Sequence, residues 1–421
     1  MKPALPEDFD AAAMLEQVRT WSAINTGTGN LDGLAKQAEA LKQAFGALPG
    51  EVELVDAAPV TAIASDGSEF EKRNGQHLVV RVRPKANRRI LLTGHMDTVF
   101  PPDHPFQDQR WLDDGVLNGP GVADMKGGIA IILHALTAFE ANASAGSLGY
   151  DVLINSDEET GSLASSDLIA QMARSKLAAL TFEPAASPEG TLAHSRGGTG
   201  NYSITLSGKS AHAGRNPEDG RNALVAAADL IMRLKALEHD DITVNPAKLE
   251  GGGPNNVVPD HALLRFNIRP KSTGAMDGFE AQLDPILKAI ENEHGVGVSR
   301  HGGVTRPPKP VDDRAQRLFD IVRECGAELG QAIDWKSTGG VCDGNNIAAC
   351  GVPVVDTMGV RGGAIHSSDE FLITDSLTER AALAARVIGR LADGALDQAS
   401  DGKSDAAGGG SAQGTKTGAG A

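Results

Sequence analysis

Several histidine and carboxylate side chains in this sequence each follow a short apolar run, at the place where a buried strand would end. Imidazole and carboxylate groups are the ligands that zinc and its neighbouring divalent metals take in proteins. Five such ligands and one spare carboxylate would hold two metal ions and still supply a general base, which predicts metal-assisted hydrolysis. The motifs are Gly94-His95-Met96-Asp97, Gly121-Val122-Ala123-Asp124-Met125-Lys126-Gly127-Gly128, Asp157-Glu158-Glu159, Phe182-Glu183-Pro184 and Ala364-Ile365-His366-Ser367-Ser368-Asp369-Glu370.

The spacing within these motifs indicates which side chains would bind metal, which would orient a ligand and which would act as the base. His95 and Asp97 lie two residues apart, so on an extended chain they share a side, and Asp97 can orient a metal-ligating His95. Asp124 lies in a glycine-rich loop before a helix, where its carboxylate can bridge two cations. Glu158 and Glu159 point opposite ways on an extended chain, so one can bind metal while the other acts as the base.

Each motif taken alone has an ordinary structural alternative. His95 would be an exposed histidine, Asp124 a helix N-cap, and the paired glutamates after residue 157 a solvated acidic loop. Glu183 and His366 would be structural or surface residues. The order of all the motifs along alternating strands favours a joint metal site over these separate alternatives.

Composition restricts the class of protein. The 421 residues suffice for two domains, and a hydrophobic content of 41% is typical of a globular protein. The formal net charge of -16 argues against nucleic acid or an anionic membrane as a partner. Three cysteines are too few for a disulfide framework. We find no signal-like leader and no apolar stretch that approaches the roughly 20 residues of a membrane span, so we expect a cytoplasmic enzyme.

The order of apolar runs and helical patterns predicts an α/β fold with a mostly parallel sheet flanked by helices. Its ligand site should lie beyond the carboxyl ends of the strands. Between residues 196 and 305 the pattern changes to polar–apolar alternation around two helical stretches, which predicts an inserted α+β domain with an antiparallel sheet. Residues 1–195 and 306–397 would form the two parts of the catalytic domain, and the Gly-, Ala- and Ser-rich tail at 398–421 should be disordered.

With these motifs in this order, the chain resembles the di-zinc metallopeptidase and aminoacylase family, which includes acetylornithine deacetylase and succinyl-diaminopimelate desuccinylase. It is most similar to the branch of bacterial glutamate carboxypeptidases that cleave folates. The resemblance covers roughly residues 15 to 395. Besides the motifs above, it is carried by Thr98-Val99, Gly119-Pro120-Gly121, Gly208-Lys209-Ser210-Ala211-His212-Ala213-Gly214, Asn256-Val257-Val258-Pro259 and His366-Ser367.

The resemblance implies a role for each matching position. Asp124 would bridge two zinc ions, for which Co²⁺ or Mn²⁺ are possible substitutes, and the Asp124–Met125 peptide bond would be cis. Glu158 would be the general base that deprotonates the attacking water, and Asp97 would support the His95 site. The remaining ligands would be His95 and Glu183 for one zinc, and Glu159 and His366 for the other.

The resemblance also assigns roles to the inserted domain, which would act as a lid and form a homodimer. His212, reaching across the dimer, would stabilise the oxyanion of the tetrahedral intermediate, with Asn256 nearby. Arg269 would bind the free carboxylate of the substrate, a task that suits a guanidinium because it can pair with both oxygens. The predicted enzyme is therefore a zinc-dependent carboxypeptidase or N-acyl-amino-acid amidohydrolase that acts on acyl-amino acids or small peptides.

Glutamate is the candidate for the amino acid released, but the segment before His366 departs from the folate-cleaving branch. Those enzymes have bulkier or aromatic residues where this chain has Arg361-Gly362-Gly363-Ala364-Ile365. Arg361 would be either an extra carboxylate anchor or a surface residue. Three other functions stay open: an aminopeptidase or dipeptidase of the same family, a catalytically silent metal-binding paralogue, and a purely structural homodimer.

Overall fold

The computed structural model describes residues 4–397. Its α-helices are α1 (Ala11–Ser22), α2 (Leu31–Phe45), α3 (Gly127–Glu140), α4 (Ser166–Ala173), α5 (Ala223–Lys235), α6 (Thr273–His294), α7 (Asp313–Glu328), α8 (Asp343–Ala349) and α9 (Ser376–Ala392). Its strands are β1 (Glu51–Val55), β2 (Val60–Ile63), β3 (Glu69–Lys72), β4 (His77–Val82), β5 (Arg89–His95), β6 (Arg110–Asp113), β7 (Val116–Asn118), β8 (Gly149–Asn155), β9 (Ala178–Thr181), β10 (Leu192–Arg196), β11 (Thr199–Ser207), β12 (Ile242–Gly251), β13 (His261–Pro270), β14 (Gly297–Arg306), β15 (Trp335–Thr338), β16 (Val354–Val355), β17 (Gly362–Gly363) and β18 (Phe371–Ile373).

The main sheet has the strand order β1-β4-β8-β5-β9-β16. Strands β8, β5, β9 and β16 run parallel, whereas β4 and β1 pair antiparallel at one edge. Alternate residues of β5 enter two separate apolar clusters: Leu92 packs with α3 and α9, and Leu91 packs with α4 and α8. Helices therefore cover both faces, as apolar runs in consecutive parallel strands require. The predicted mostly parallel sheet flanked by helices is confirmed.

A second sheet, with the order β12-β13-β11-β14, is antiparallel throughout and lies within residues 199–306. Helices α5 and α6 pack on it around a core of their own, which includes Tyr202, Phe266 and Leu283. The sequence pattern indicated β11, β13 and both helices but not β12 or β14. Pro246 interrupts β12, and β14 contains Gly302 and Gly303, so neither strand shows clean alternation. The domain boundaries themselves stay a prediction.

A small sheet with the order β17-β18-β7-β6 brings two distant loops together. One loop follows β7 and leads through Asp124 into α3, and the other joins β17 to β18 and contains His366. Phe371 of β18 pairs with Asn118 of β7, so the start of one loop meets the end of the other. This pairing explains how side chains about 240 residues apart in sequence reach one site.

The expectation that no apolar stretch approaches the length of a membrane span is wrong for one helix. The helical stretch Val122–Glu140, 19 residues long, is long and apolar enough to cross a membrane. However, 83% of its most apolar window is buried inside the protein, where it packs against α1 and α9. Within residues 4–397 it is the one such helix, and it forms part of the main hydrophobic core. Its composition reflects burial on all sides.

Candidate metal centre and active site

The central parallel strands deliver the site residues to one edge of the sheet. His95 is the last residue of β5 and pairs with Asn155, the last residue of β8. Glu158 and Glu159 follow β8 after a short turn, and Glu183 comes two residues after the end of β9. Because neighbouring parallel strands end at the same edge, these loops converge.

Asp124 lies between two histidines, with one carboxylate oxygen toward each. His95 Nε2 is 3.1 Å from Asp124 Oδ1 and 3.5 Å from Glu183 Oε2. His366 Nε2 is 3.3 Å from Asp124 Oδ2 and 3.2 Å from Glu159 Oε2. The five side chains thus form two groups of three that share Asp124, the same division that the family resemblance implied.

These residues fit a pair of metal ions. Two ligand atoms on one tetrahedral zinc lie roughly 3.4 Å apart when each metal–ligand bond is about 2.1 Å, close to the separations above. Within residues 4–397 the buried Oε1 of Glu183 has no hydrogen-bond partner, which leaves a carboxylate oxygen available for a cation. Ligand atoms of His95, Asp124 and Glu159 also lie within 4.8 Å of one another.

The histidines and carboxylates of the cluster shift one another's pKa values. Burial would lower the pKa of His95, but the carboxylates of Glu183 and Asp124 outweigh it and hold the pKa well above its usual value. Hydrogen bonds to Asp124 and Glu159 raise the pKa of His366 to about 11. Burial raises the pKa of Glu159 to about 7. Without metal, both imidazoles therefore carry a proton at neutral pH.

This protonation predicts that metal affinity rises with pH. Each metal ion must displace a proton from His95 or His366, so affinity should increase at least about tenfold per pH unit between about pH 6 and about pH 8. Competition titrations with a chelator of known pH dependence would measure this slope. Calorimetry in buffers of different ionisation enthalpy would count the released protons. An affinity that stays constant over this range would show that metal binding displaces no imidazole proton, which contradicts this prediction.

Asp97 joins the two halves of the ligand set. Its backbone oxygen lies 3.0 Å from His95 Nδ1, which holds the ring with Nε2 directed at Asp124. Its carboxylate accepts hydrogen bonds from the backbone N–H groups of Glu158 and Glu159, each at 3.2 Å, and from the Thr28 hydroxyl at 2.8 Å. Asp97 thus fixes both the histidine and the acidic turn.

Glu158 is buried beside the cleft, and an arginine that the sequence analysis missed contacts it. Arg306 Nη2 donates to Glu158 Oε1 at 2.7 Å and to the Ser162 hydroxyl at 2.9 Å. Burial raises the pKa of Glu158 well above its usual value, and the Arg306 charge opposes this shift without reversing it. Arg306 ends β14, one of the strands that the alternation pattern failed to indicate, so no local signal marked it.

A second missed residue, Glu370, holds the loop that carries Asp124. Its carboxylate accepts hydrogen bonds from the backbone N–H groups of Gly121 at 3.1 Å and of Ala123 and Asp124 at 3.0 Å. The expected cis peptide bond between Asp124 and Met125 is confirmed. In the sequence, Glu370 stands out only as an acidic residue directly before the apolar run of β18. An acidic residue at the start of a strand is usually on the surface, so this position did not indicate a buried role.

The cluster of candidate metal ligands opens into a cleft of about 830 Å³. Three arginines contribute to its lining: Arg196, Arg269 and Arg306. Arg196 is engaged by Asp356, with Nε 2.8 Å from Oδ2. The exposed Arg269 uses Nε to donate to Asn267 Oδ1 at 2.8 Å, which orients its guanidinium. Arg196 and Arg306 are thus paired with carboxylates, whereas Arg269 has no carboxylate partner within residues 4–397.

His212 and Asn256 lie together, but away from the ligand cluster of their own chain. Their segments are joined by a hydrogen bond from Ala213 N to Asn256 O at 3.0 Å, and both side chains are exposed. Within residues 4–397, neither is among the residues that line the cleft. The role of either residue in the site therefore stays a prediction.

Known proteins are similar to this chain in sequence and in fold. A family model described as peptidase family M20/M25/M40 matches residues 91–390. Carboxypeptidase G2 from Pseudomonas sp. (strain RS-16) is 29% identical over 387 residues, which cover 89% of this chain and 88% of that protein. Succinyl-diaminopimelate desuccinylase from Xanthomonas oryzae pv. oryzae (strain PXO99A) is 29% identical over 325 residues, covering 72% and 83%. The crystal structure of a tripeptidase from Staphylococcus aureus subsp. aureus mu50 aligns with a TM-score of 0.69 at 22% identity, covering 91% of this chain and 99% of that one.

Proposed function

The chain belongs to peptidase family M20/M25/M40, and on this premise we propose that it is a metal-dependent carboxypeptidase or N-acyl-amino-acid amidohydrolase. It would release a C-terminal amino acid from acyl-amino acids or small peptides. The observation that carries the proposal is the joint presence, in one cleft, of the ligand cluster, the buried Glu158 and the arginines. The name of one relative, carboxypeptidase G2, supports the same reaction class.

Five residues would hold two metal ions. His95 and Glu183 would serve one ion and Glu159 and His366 the other, with Asp124 shared; zinc suits this ligand set, and Co²⁺ or Mn²⁺ are possible substitutes. When bound, such ions polarise the carbonyl group of the scissile amide and acidify the attacking water.

Glu158 would move the proton that the reaction transfers. Its carboxylate accepts a proton from the attacking water and then donates it to the nitrogen of the leaving amino acid. A raised pKa suits both steps, because a stronger base takes the proton more readily near neutral pH and can still return it. Arg306 and the turn held by Asp97 keep the carboxylate in one orientation.

The oxyanion that develops in the transition state needs hydrogen-bond donors. We assign this role to His212 of a second copy of the chain, with Asn256 beside it, and hence a homodimer as the active form. The exposed position of both side chains outside the cleft of their own chain supports an arrangement in trans.

Arg269 would bind the substrate's free carboxylate. It lines the cleft, and Asn267 binds its Nε, so within residues 4–397 its two terminal nitrogens have no hydrogen-bond partner. An aminopeptidase would instead need acidic groups to receive a free amine, and Arg269 weighs against that alternative.

Replacing Arg269 with alanine should raise KM far more than it changes kcat for substrates with a free carboxylate. Loss of a charge-assisted pair of about 1.5–3 kcal/mol corresponds to a decrease in kcat/KM of roughly 10- to 100-fold. Steady-state kinetics on an N-acyl amino acid would measure the change. The matched control is the same comparison on the corresponding carboxamide, for which the variant and the wild type should differ little. An equal loss on both substrates would contradict the assignment.

The proposed function itself can be tested by amide hydrolysis with zinc-loaded protein across a panel of N-acyl amino acids, C-terminal glutamate included, with a chelator-treated control. Each substrate is paired with its carboxamide and with a dipeptide that has a free amine. Chelator-sensitive release of the amino acid only from acids supports the carboxypeptidase. Preferential cleavage of substrates with a free amine would replace it with the aminopeptidase or dipeptidase. Inactivity toward all substrates with metal bound would favour the silent paralogue.

A further inference from the structure

A second part of the cleft lining is uncharged. It comes from the segment after Glu183, which includes Pro184 and Pro188, and from the segment before His366, which includes Gly363 and Ile365. Phe371 completes it, and we call these five residues the uncharged wall. Its members share one property, namely that none offers a charge or a side-chain hydrogen bond to a bound group.

The two segments of the uncharged wall touch each other. A Cβ atom placed on Gly363 would lie 3.7 Å from Pro188 Cγ and 3.0 Å from the Phe371 ring. Backbone hydrogen bonds also join the segments, from Ala185 N to Val360 O and from Gly359 N to Glu183 O, both at 2.9 Å. The wall is therefore one continuous surface next to the metal ligand Glu183.

Two arginines position this wall from behind instead of facing the cleft. Arg361 Nε donates to Pro188 O at 2.8 Å, and its Nη1 pairs with Glu379 Oε2 at 3.1 Å. The fully buried Arg380 donates to Gly190 O at 2.8 Å. Arg361 is not among the residues that line the cleft within residues 4–397, and its Nε and Nη1 bind Pro188 O and Glu379 instead of a cleft-side group.

From these contacts we infer that the uncharged wall binds an uncharged, apolar group of the substrate, that Gly363 limits the size of this group, and that Arg361 is a positioning residue for Pro188. The inference rests on the proposed function and narrows its substrate class. An anionic group bound at this wall would lose its hydration without forming an ion pair with any wall residue. Burial of an apolar group at the wall would instead lower the free energy of binding. The apolar group is either the acyl group or the side chain of the released amino acid.

The test uses substrates that differ in one group at a time. One arm holds glycine constant and compares N-acetyl, N-benzoyl and N-succinyl forms. The other arm holds N-acetyl constant and compares glycine, phenylalanine and glutamate. The wild type should favour the apolar bulky member over the anionic member in one arm, and that arm identifies the group that the wall receives.

Gly363→Ala should then lower kcat/KM for the favoured bulky substrate by about 10- to 200-fold and leave N-acetylglycine within a few-fold, because the added methyl group lies 3.0 Å from the Phe371 ring and must shift that ring within the wall. Gly363 has no left-handed backbone conformation that would forbid alanine. Gly274→Ala, at a position with nothing within 4 Å of the added Cβ, is the matched control. Arg361→Ala should reduce the same selectivity without changing metal content, and its control is Arg317→Ala, because Arg317 is likewise half-buried and paired with a glutamate.

Two results would overturn the inference. One is a preference for the succinyl or glutamate member in both arms, and the other is an unchanged selectivity in both Gly363→Ala and Arg361→Ala. If the wild type hydrolyses no substrate, the proposed function fails. Calorimetric binding of N-benzoylglycine and N-succinylglycine to metal-loaded Glu158→Gln protein then decides the inference separately, since the wall should still prefer the apolar ligand and Gly363→Ala should still remove that preference.

Discussion

A Glu158→Gln variant is expected to keep its metal and lose most of its turnover. Glutamine preserves the size of the side chain and can still accept a hydrogen bond from Arg306, which lies 2.7 Å from Oε1. However, it cannot take a proton from water. Removal of a positioned general base typically costs 10²- to 10⁴-fold in rate, so kcat should fall by about that factor while KM changes little. Metal analysis of the dialysed protein, alongside steady-state kinetics, measures both quantities.

The pH profile adds a second signature for Glu158. The base works only when deprotonated, so kcat/KM should rise with pH through its pKa. Burial raises that pKa, which places the acidic limb above the usual glutamate range of about 4.3. In the Glu158→Gln protein this limb should disappear from the residual activity. Glu69→Gln, an exposed change on β3, is the control and should leave rate and profile unchanged. A Glu158→Gln protein with wild-type kcat would require another base.

The ligand cluster was accessible from sequence because its residues follow strands that are easy to recognise. Strand β5 is an almost wholly buried apolar run that ends at His95, and β8 is a buried run that ends just before Glu158. Parallel strands need buried side chains on both faces, so their sequences are continuous apolar runs, and their carboxyl ends share one edge. From the sequence alone, these two rules predict that His95, Glu158 and Glu183 lie at one edge of the sheet.

The supporting residues could not be found in the same way, because their roles depend on contacts between distant segments. Glu370 binds the backbone of Gly121, which lies 249 positions earlier in the chain, and Arg306 reaches Glu158 across 148 positions. No local pattern encodes such a pairing. The orientation of Arg361 was equally hidden, since a guanidinium next to a site can face a ligand or the backbone, and only the position of Pro188 O decides between them.

In the inserted segment, the alternation pattern predicted the central strands of the antiparallel sheet but not its two outer strands. Half of its sheet was missed, because a strand on an exposed edge tolerates proline and glycine that a central strand excludes. Strands β12 and β14 are the two outer strands of the order β12-β13-β11-β14, and they contain Pro246, Gly302 and Gly303. Central strands β11 and β13 kept clean alternation and were recognised. Position in the sheet, more than strand length, decided what could be predicted.

The largest loss of metal is expected for Asp124→Ala. Within residues 4–397, Asp124 is the one carboxylate within hydrogen-bonding distance of both His95 and His366, so its removal takes a ligand from each of the two groups at once. Metal content should fall from about two ions per chain to well below one after dialysis, and kcat/KM should decrease by at least the roughly 10²- to 10⁴-fold expected for Glu158. Elemental analysis with parallel kinetics gives both numbers.

The contrast between the two variants separates the roles of the two carboxylates. Glu158→Gln should be inactive with metal bound, whereas Asp124→Ala should be inactive because metal is lost, and added zinc should restore neither. Asp369→Asn, an exposed change three residues from His366, is the matched control and should keep both metal and activity. If the Asp124→Ala protein retained two ions, the cluster of His95, Asp124 and His366 would not be the metal site. The residues that converge on Asp124 would then form a buried ion network whose contribution is to stability alone.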